Sequence, residues 1–363
     1  MAENVKRERA EPVAVGPPRR RQSRAGRLRA ERTRRRRRAA SLFTLTLLVA
    51  VLVAAAVVGF RLWQGMSNPD DFAGDGVSDV VVQVHEGDST TAVGQTLAEA
   101  NVVANGQAFV DAAQGNTAIA AIQPGFYRMR TEIPAASAVT KLADPDNRVG
   151  KLTIPEGRQL DDVADVKTGD VTEGIFSMIS AASCIELNDE QKCVPVADLK
   201  TAAGSATLEA LKVPEWATKR VTEMGAGHRR IEGLIAPGTW NVDPSAPAQD
   251  ILASLIGTST THYVDGGLLD TAQAMAMSPY DILVVGSLLQ KEATPEDFAK
   301  VARVIYNRLA EPQRLEFDST VNYPLDRQEV ATTNADRLAV TPWNTYASAG
   351  LPATPIGSPG DPA

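Results

Sequence analysis

The sequence has few of the residues that bind metals or carry redox chemistry, with two cysteines and three histidines in 363 residues. The histidines (His85, His228 and His262) are scattered and form no ligand spacing with Cys184 or Cys193, whereas structural zinc sites use closely spaced ligands. The cysteines also lack the Cys-x-x-Cys spacing typical of redox-active pairs. We therefore expect no metal, no cofactor and no redox-active thiol.

Neither hydrophobic nor charged residues are scarce, since they make up 44% and 22% of the chain. This composition excludes disorder for the whole protein, and the length allows roughly two domains with substantial cores. Charge is unevenly distributed. Residues 1–40 hold 15 of the 37 Lys and Arg but 4 of the 44 Asp and Glu, so they carry +11 and the remainder carries −18. The two parts are expected to occupy different environments.

The segment SLFTLTLLVAVLVAAAVVGF, Ser41–Phe60, contains no charged residue. Twenty helical residues span about 30 Å, the thickness of a bilayer core, so we predict a transmembrane helix over residues 41–63. A buried core helix and a cleaved signal peptide are the alternatives, but the apolar run is longer than a signal peptide uses. The positive-inside rule places the N-terminus in the cytoplasm and the chain after Trp63 outside.

Residues 1–40 are rich in Arg and poor in large apolar side chains, so we predict a disordered tail that acts as a topology determinant. A basic tract can bind nucleic acid or anionic lipid. Membrane lipid is the preferred partner because the apolar segment follows directly, and we expect no nucleic-acid partner.

A linker over residues 64–78 leads to an alternating strand, DVVVQV, that ends in the turn EGDS. Helical spacing follows at Val93, Leu97 and Ala100, then a helix over Gly106–Ala113, the strand FYRMR and a helix from Pro134 to Leu142. This order resembles the LysM-like module of peptidoglycan-binding proteins, although a strand, a Gly-Asp turn and a helix occur in many small domains.

A second domain is predicted from Val149, where VGKLTIPEGRQLDDVADV indicates a strand, a turn and a capped helix. Further on, Cys184 and Cys193 flank a polar loop. On the external side of a membrane such a close pair is expected to form a disulfide.

The stretch Ser278–Leu309 has the spacing of two helices joined by a tight turn, each with a start signal at Ser278-Pro279 and Thr294-Pro295. Glu292 lies at the joint and continues the apolar stripe of Ile282, Val285 and Leu289. A Glu at a helix end is usually a solvated surface residue, but a solvated Glu would more naturally lie on the other face.

Five motifs follow in order: EGLIAPGTW, SLLQKEA, VARVIYNRL, FDSTVNY and WNTYASAGLPATPIGSPG. Together they resemble the YceG-like family, the endolytic murein transglycosylases, from about Val80 to Gly360. The resemblance implies that Glu292 is the catalytic acid and base. It implies a substrate-binding role for residues in the other motifs, namely Glu232, Asn307, Asp318, Thr320, Asn344, Thr345 and Tyr346. Ser319 stands where the family's Asp-Pro-Thr has Pro.

Simpler explanations exist for several of these residues. Asn307 and Arg308 could cap or pair at a helix end, residues 318–320 could form a turn, and residues 344–346 could be a loop before a Gly-Pro segment. The resemblance also implies a further helix and strand pair after Gly360, whereas the sequence ends at Ala363. We therefore expect the catalytic domain to lack its C-terminal part.

The predicted fold class is α+β, with a disordered basic tail, a single transmembrane helix, a LysM-like α/β module and an α+β catalytic domain. The domain boundaries are 1–40, 41–63, 64–78, 79–146 and 147–363. The resemblance implies a membrane-anchored, extracytoplasmic lytic transglycosylase that cuts peptidoglycan glycan strands, with peptidoglycan synthases as candidate partners. The alternative function is a catalytically impaired, membrane-anchored peptidoglycan-binding scaffold.

Overall fold

The computed structural model describes residues 49, 51–58, 71–328 and 332–363. Residues 51–58 are helical and exposed. The remaining residues of the predicted transmembrane helix, the basic tail and the first part of the linker lie outside the described residues. In the described ranges no single helix is long and apolar enough to cross a membrane. The helices Leu268–Met275 and Pro279–Glu292 reach that length and hydropathy only when taken together, and the chain bends by 100° between them.

Residues from 70 onward belong to one compact unit, which is α+β. Its first part contains strands and helices in the order β1 (Asp79–Val84), α1 (Thr90–Glu99), α2 (Gly106–Ala113), β2 (Gly125–Arg130), α3 (Ala135–Ala143) and β3 (Arg148–Val149), with 3-10 turns at Thr117–Ala121 and Pro145–Asn147. The strand order is β1-β2-β3, and both pairings are antiparallel. The helices predicted from the spacing of Val93 and Leu97 and over Gly106–Ala113 are confirmed.

Side chains that alternate along β1 explain how this sheet packs. Val82 and Val84 are buried whereas Gln83 is exposed, so one face of the strand meets the helices. Two glycines let α1 and α2 cross closely, because a Cβ on Gly94 would lie 2.7 Å from the carbonyl oxygen of Gly106. The result is a hydrophobic core of its own for this part of the chain.

The second part begins with β4 (Lys151–Ile154), β5 (Val163–Asp165), β6 (Val171–Thr172), α4 (Ile175–Ala182), β7 (Ile185–Leu187), β8 (Glu190–Lys192), α5 (Val196–Ser205), α6 (Glu215–Glu223), a 3-10 turn (His228–Ile231) and β9 (Gly238–Asn241). The chain continues with α7 (Ala248–Asp265), α8 (Leu268–Met275), α9 (Pro279–Glu292), a 3-10 turn (Pro295–Asp297), α10 (Phe298–Ala310), α11 (Asp318–Asn322), a 3-10 turn (Tyr323–Leu325), β10 (Arg327–Gln328) and α12 (Asn334–Leu338).

The sheets of this part are small and join distant segments. β4 pairs antiparallel with β9, and β5 lies between the antiparallel β6 and the parallel β10. The predicted capped helix after β4 is therefore wrong, because residues 163–165 form β5. Their backbone is paired on both sides, to β6 and to β10, and this non-local pairing outweighs the helical spacing of a short segment.

The strands β7 and β8 form a hairpin that is closed at its base by a Cys184–Cys193 disulfide, with an S–S distance of 2.06 Å. Asn188 and Asp189 form its tip with φ angles of 54° and 63°, the backbone that a two-residue hairpin turn requires. Asn188 also exchanges hydrogen bonds of 2.7 and 2.8 Å with Asp79 of β1. The hairpin therefore attaches the second part of the unit to the first sheet.

The segment 354–360 runs through the interior and is buried along its whole length. The Gly157 N–H donates to the Ser358 carbonyl at 2.7 Å, and the Ser358 N–H donates to the Arg158 carbonyl at 2.8 Å. Gly233 has a φ of 76°, and a Cβ there would lie 2.5 Å from Pro355. The glycine of the EGL motif is therefore required by both its backbone conformation and the packing of Pro355.

We expect the double substitution Cys184→Ser and Cys193→Ser to lower the free energy of unfolding by about 2–3 kcal/mol, because the unfolded chain loses its closed loop. Urea denaturation of the two proteins measures the difference. A reducing agent should bring the wild type to the stability of the variant and leave the variant unchanged. Equal stability of the wild type with and without reductant would contradict the prediction.

Candidate functional site

The helix α9 determines where Glu292 lies. The Ser278 hydroxyl accepts from the Asp281 N–H at 3.1 Å and Pro279 is the first helical residue, so the predicted start signal is confirmed. Val285 and Leu289 of the predicted apolar stripe are buried. Glu292 ends the helix and is half-buried at the joint before α10.

An open groove of about 600 Å³ runs along this joint, lined by Lys291, Glu292, Ala293, Thr294, Asp297, Lys300 and Val301. Polar and charged side chains form most of the wall. The Glu292 carboxyl is therefore both partly desolvated and accessible to a ligand in the groove.

The Glu292 carboxyl has an environment that favours its protonated form. Burial raises its pKa, the hydrogen bond from the Ser319 hydroxyl lowers it, and the negative charge of Asp318 raises it. The net direction is upward. A carboxyl of this kind can hold a proton nearer to neutral pH than a solvated Glu can, as a general acid must.

Asp318 is held by three side chains. Its Oδ1 accepts from the Thr332 hydroxyl at 2.7 Å, the Tyr346 hydroxyl at 2.8 Å and Arg337 Nη2 at 3.2 Å. Burial opposes ionisation, but these hydrogen bonds and the Arg337 charge lower the pKa of Asp318. The Arg337 guanidinium also lies 4.9 Å from the centroid of the Tyr346 ring. Asp318 and Tyr346, two predicted site residues, therefore meet in one cluster.

Three other predicted residues, Thr320, Asn344 and Thr345, are buried. The Thr320 and Thr345 hydroxyls are 2.8 Å apart. The Asn344 side chain donates to the Arg337 carbonyl at 3.1 Å and the Ala339 carbonyl at 2.6 Å, which closes the end of α12. These contacts hold the loop of residues 341–347 against α11. Direct binding of substrate by these three residues stays a prediction.

Glu232 is 1% exposed and lies in the interior rather than in the groove. Its Oε2 accepts from the Tyr323 hydroxyl at 2.8 Å and from the Leu160 N–H at 3.1 Å. Within the described residues its Oε1 has no hydrogen-bond partner. Burial raises the pKa of Glu232 to about 7. Because Tyr323 directly follows α11, this contact anchors the segment that carries Ser319.

Asn307 is exposed on α10, and its neighbour Arg308 donates from Nη1 to the Leu315 carbonyl. The Arg308 contact closes the turn that leads from α10 to α11. In the described ranges no group of three or more His, Cys, Asp or Glu side chains is placed to hold a metal ion.

Two features of the site region do not follow from the sequence motifs. Ser319 departs from the Asp-Pro-Thr motif, and its hydroxyl contacts Glu292. Asp161 belongs to none of the motifs. The Asp161 carboxylate contacts three basic side chains. Its Oδ1 lies 2.6 Å from Lys200 Nζ, and its Oδ2 lies 2.7 Å from His228 Nε2 and 3.1 Å from Arg229 Nε.

The Asp161 cluster also contacts Tyr323, through Arg229. The Arg229 guanidinium lies 5.3 Å from the centroid of the Tyr323 ring and also pairs with Asp326. The basic run His-Arg-Arg before the EGL motif was the only sequence signal for this cluster, and its acidic partner is more than 60 residues away along the chain.

Comparison with known proteins agrees with the motif order. The model of the YceG-like family matches residues 82–363. The endolytic murein transglycosylase of Bacillus subtilis (strain 168) is 26% identical over 307 residues, which are 84% of this chain and 79% of that protein. A YceG-like protein from Listeria monocytogenes, known from a crystal structure, is 26% identical in sequence to this chain. The structural match covers 78% of this chain and 88% of that chain, with a TM-score of 0.49.

We predict that Glu232→Gln changes how stability depends on pH. The fold raises the pKa of Glu232 from 4.5 to about 7, so the folded protein keeps a proton that the unfolded chain loses. The Glu232 contribution to stability is therefore fully present below pH about 4.5 and is lost as the pH rises through about 7, by roughly 3 kcal/mol. Gln has no such titration.

Urea denaturation between pH 5 and pH 8 measures the effect. The variant should gain stability relative to the wild type as the pH rises, and the exposed Glu209→Gln should not. A constant difference between Glu232→Gln and the wild type across this range would contradict the raised pKa.

Proposed function

The chain belongs to the YceG-like family, and from this membership we propose that it is a membrane-anchored lytic transglycosylase that cleaves peptidoglycan glycan strands internally. The observation that carries the proposal is the half-buried carboxyl of Glu292, at the end of α9 and on an open groove. Its raised pKa suits a general acid. The name and activity of the Bacillus subtilis relative support the substrate class at the level of the family.

In the first step Glu292 protonates the glycosidic oxygen between N-acetylmuramic acid and N-acetylglucosamine. The bond from the anomeric carbon to that oxygen breaks as oxocarbenium character develops on the muramic acid ring. Partial burial and the nearby charge of Asp318 favour the protonated carboxyl that this step consumes. Glu292 leaves the step as a carboxylate.

In the second step the Glu292 carboxylate removes the proton of the muramic acid 6-hydroxyl. The 6-oxygen attacks the anomeric carbon of its own ring and forms a 1,6-anhydro end. Glu292 regains its proton and no water is consumed. A single carboxyl therefore suffices, because no second carboxylate is needed to activate water or to act as a nucleophile.

The other site residues divide into two roles in this proposal. Asp318 is partly exposed and lies in α11 beside Ser319, and the partly exposed Tyr346 donates a hydrogen bond to it from the loop of residues 341–347. These two residues and the exposed Asn307 are the candidates for glycan contact. Glu232, Thr320, Asn344 and Thr345 are buried and hold α11 and this loop in position.

The first part of the compact unit is proposed to be a LysM-like, glycan-binding module. The order of strand, two helices and antiparallel strand, with the EGDS turn after β1, supports this assignment. Membrane anchoring rests on the uncharged run Ser41–Phe60 and on the arginines before it. The partners in this proposal are peptidoglycan strands, membrane lipid and peptidoglycan synthases.

Glu292→Gln should abolish the release of 1,6-anhydro-muropeptides from peptidoglycan, with a rate loss of roughly 10²–10⁴-fold, because Gln cannot transfer a proton. Mass spectrometry of the products measures the loss, and thermal unfolding confirms that the variant is folded. Glu296→Gln is the matched control, since Glu296 is exposed in the same connection between helices.

Products with reducing ends would identify a hydrolase and contradict the transglycosylase mechanism. No turnover by the wild type, with glycan pelleting that persists in Glu292→Gln, would instead identify a binding or scaffold protein.

The proposed topology places residues after Trp63 outside the cytoplasm. Alkaline phosphatase, which needs an oxidising compartment for its disulfides, should be active when fused after residue 78 and inactive when fused after residue 40. Cell-based phosphatase activity at equal expression measures the difference. An inactive fusion after residue 78 at equal expression would contradict the proposed topology.

A further inference from the structure

Among the described residues, the hydrogen bond that reaches the Glu292 carboxyl from outside the helix pair comes from Ser319. Its hydroxyl donates to Glu292 Oε1, and Ser319 lies in the first turn of α11. A flexible Glu side chain with several rotatable bonds is thereby held in one orientation at the edge of the groove.

We propose that Ser319 is a positioning residue for Glu292. The Ser319 hydroxyl holds the Glu292 carboxyl in place during both the acid step and the base step. This inference rests on the proposed function of Glu292. The reacting proton moves between Glu292 and the substrate, and Ser319 gives up no proton in the reaction.

The segment that carries Ser319 is held by three hydrogen bonds from other parts of the fold. Thr320 is fixed by the Thr345 hydroxyl at 2.8 Å, and Asp318 by the Thr332 hydroxyl at 2.7 Å. Tyr323, at the end of the same segment, is fixed by Glu232 at 2.8 Å. The neighbours of Ser319 on both sides are therefore tied to separate parts of the fold, so its hydroxyl is preorganised for the carboxyl.

The chemistry of the contact opposes the effect of burial. A hydrogen bond to an ionised carboxylate is roughly twice as strong as one to a neutral carboxyl. Ser319 therefore favours the carboxylate, while burial and the charge of Asp318 favour the acid. Because the two effects oppose each other, Glu292 can act as a protonated acid in the first step and as a carboxylate base in the second. A reaction that uses one group as both acid and base requires this.

Ser319 also departs from the Asp-Pro-Thr motif that the sequence resembles. Pro has no side-chain hydroxyl, so it cannot make this hydrogen bond to Glu292. Ser319→Pro is therefore an informative variant, and the first turn of a helix tolerates Pro because its N–H groups have no partner within the helix.

The pH profile of kcat/KM for the full purified chain tests the proposal. Activity that needs protonated Glu292 declines as the pH rises through its pKa. Ser319→Ala should move this decline to higher pH by about one unit, because the carboxylate loses a charge-assisted hydrogen bond. It should also lower kcat by about tenfold at the optimum, with KM nearly unchanged, because the carboxyl is less well oriented.

Three further variants sharpen the test. Ser319→Thr keeps the hydroxyl and should restore the wild-type profile. Ser319→Pro also removes the hydroxyl and should move the decline to higher pH, as Ser319→Ala does. Ser254→Ala, an exposed substitution on α7, is the matched control and should leave the profile unchanged.

A titration that does not need turnover provides an independent measurement. In protein labelled with ¹³C at the Glu carboxyl carbons, the resonance missing from Glu292→Gln belongs to Glu292. Its titration midpoint should rise in both Ser319→Ala and Ser319→Pro.

Two results would overturn the proposal: a Ser319→Ala pH profile that superimposes on that of the wild type, or an activity that is reduced by the same factor at every pH without a shift of the profile. If the wild type releases no anhydro product while the titration midpoint still moves, the proposed function fails and the contact between Ser319 and Glu292 stands.

Discussion

The burial of α9 is the constraint on which the rest of the catalytic region depends. Tyr280, Leu283 and Val284 belong to one hydrophobic cluster, whereas Val285, Leu288 and Leu289 belong to another. The helix therefore joins the two clusters and cannot shift without opening both. Because Glu292 is its last residue, the packing of apolar side chains sets the place of the carboxyl at the edge of the core.

Three carboxyls near this helix have different protonation behaviour because their surroundings differ. Glu232 is fully buried with two donors on one oxygen, and its pKa rises to about 7. Asp318 is more exposed and receives an arginine and two hydroxyls, which keep it ionised. Glu292 lies between these extremes, half-buried with a serine donor. The surroundings of each carboxyl therefore set its role. Glu232 is a buried structural acid, Asp318 is a fixed anion, and Glu292 is the candidate catalytic acid and base.

The segment of α11 and its following 3-10 turn connects these carboxyls. Ser319 contacts Glu292, Thr320 contacts the loop of residues 341–347, and Tyr323 contacts Glu232 in the interior. Arg229 lies over the Tyr323 ring and is held in turn by Asp161. The buried Glu232 of the EGL motif does not line the groove. It affects the groove indirectly, because it holds the segment that carries Ser319.

The helix pair, its capped start at Ser278 and the apolar stripe that leads to Glu292 could be predicted from local sequence patterns, as could the family from the order of its motifs. These features are local, because side-chain periodicity and capping depend on residues a few positions apart. Three other features follow from long-range packing: residues 163–165 form a strand, Glu232 and Thr320 are buried, and Ser319 contacts Glu292. Each of these depends on pairing or packing between segments that are distant in the sequence, and periodicity carries no information about which distant groups meet.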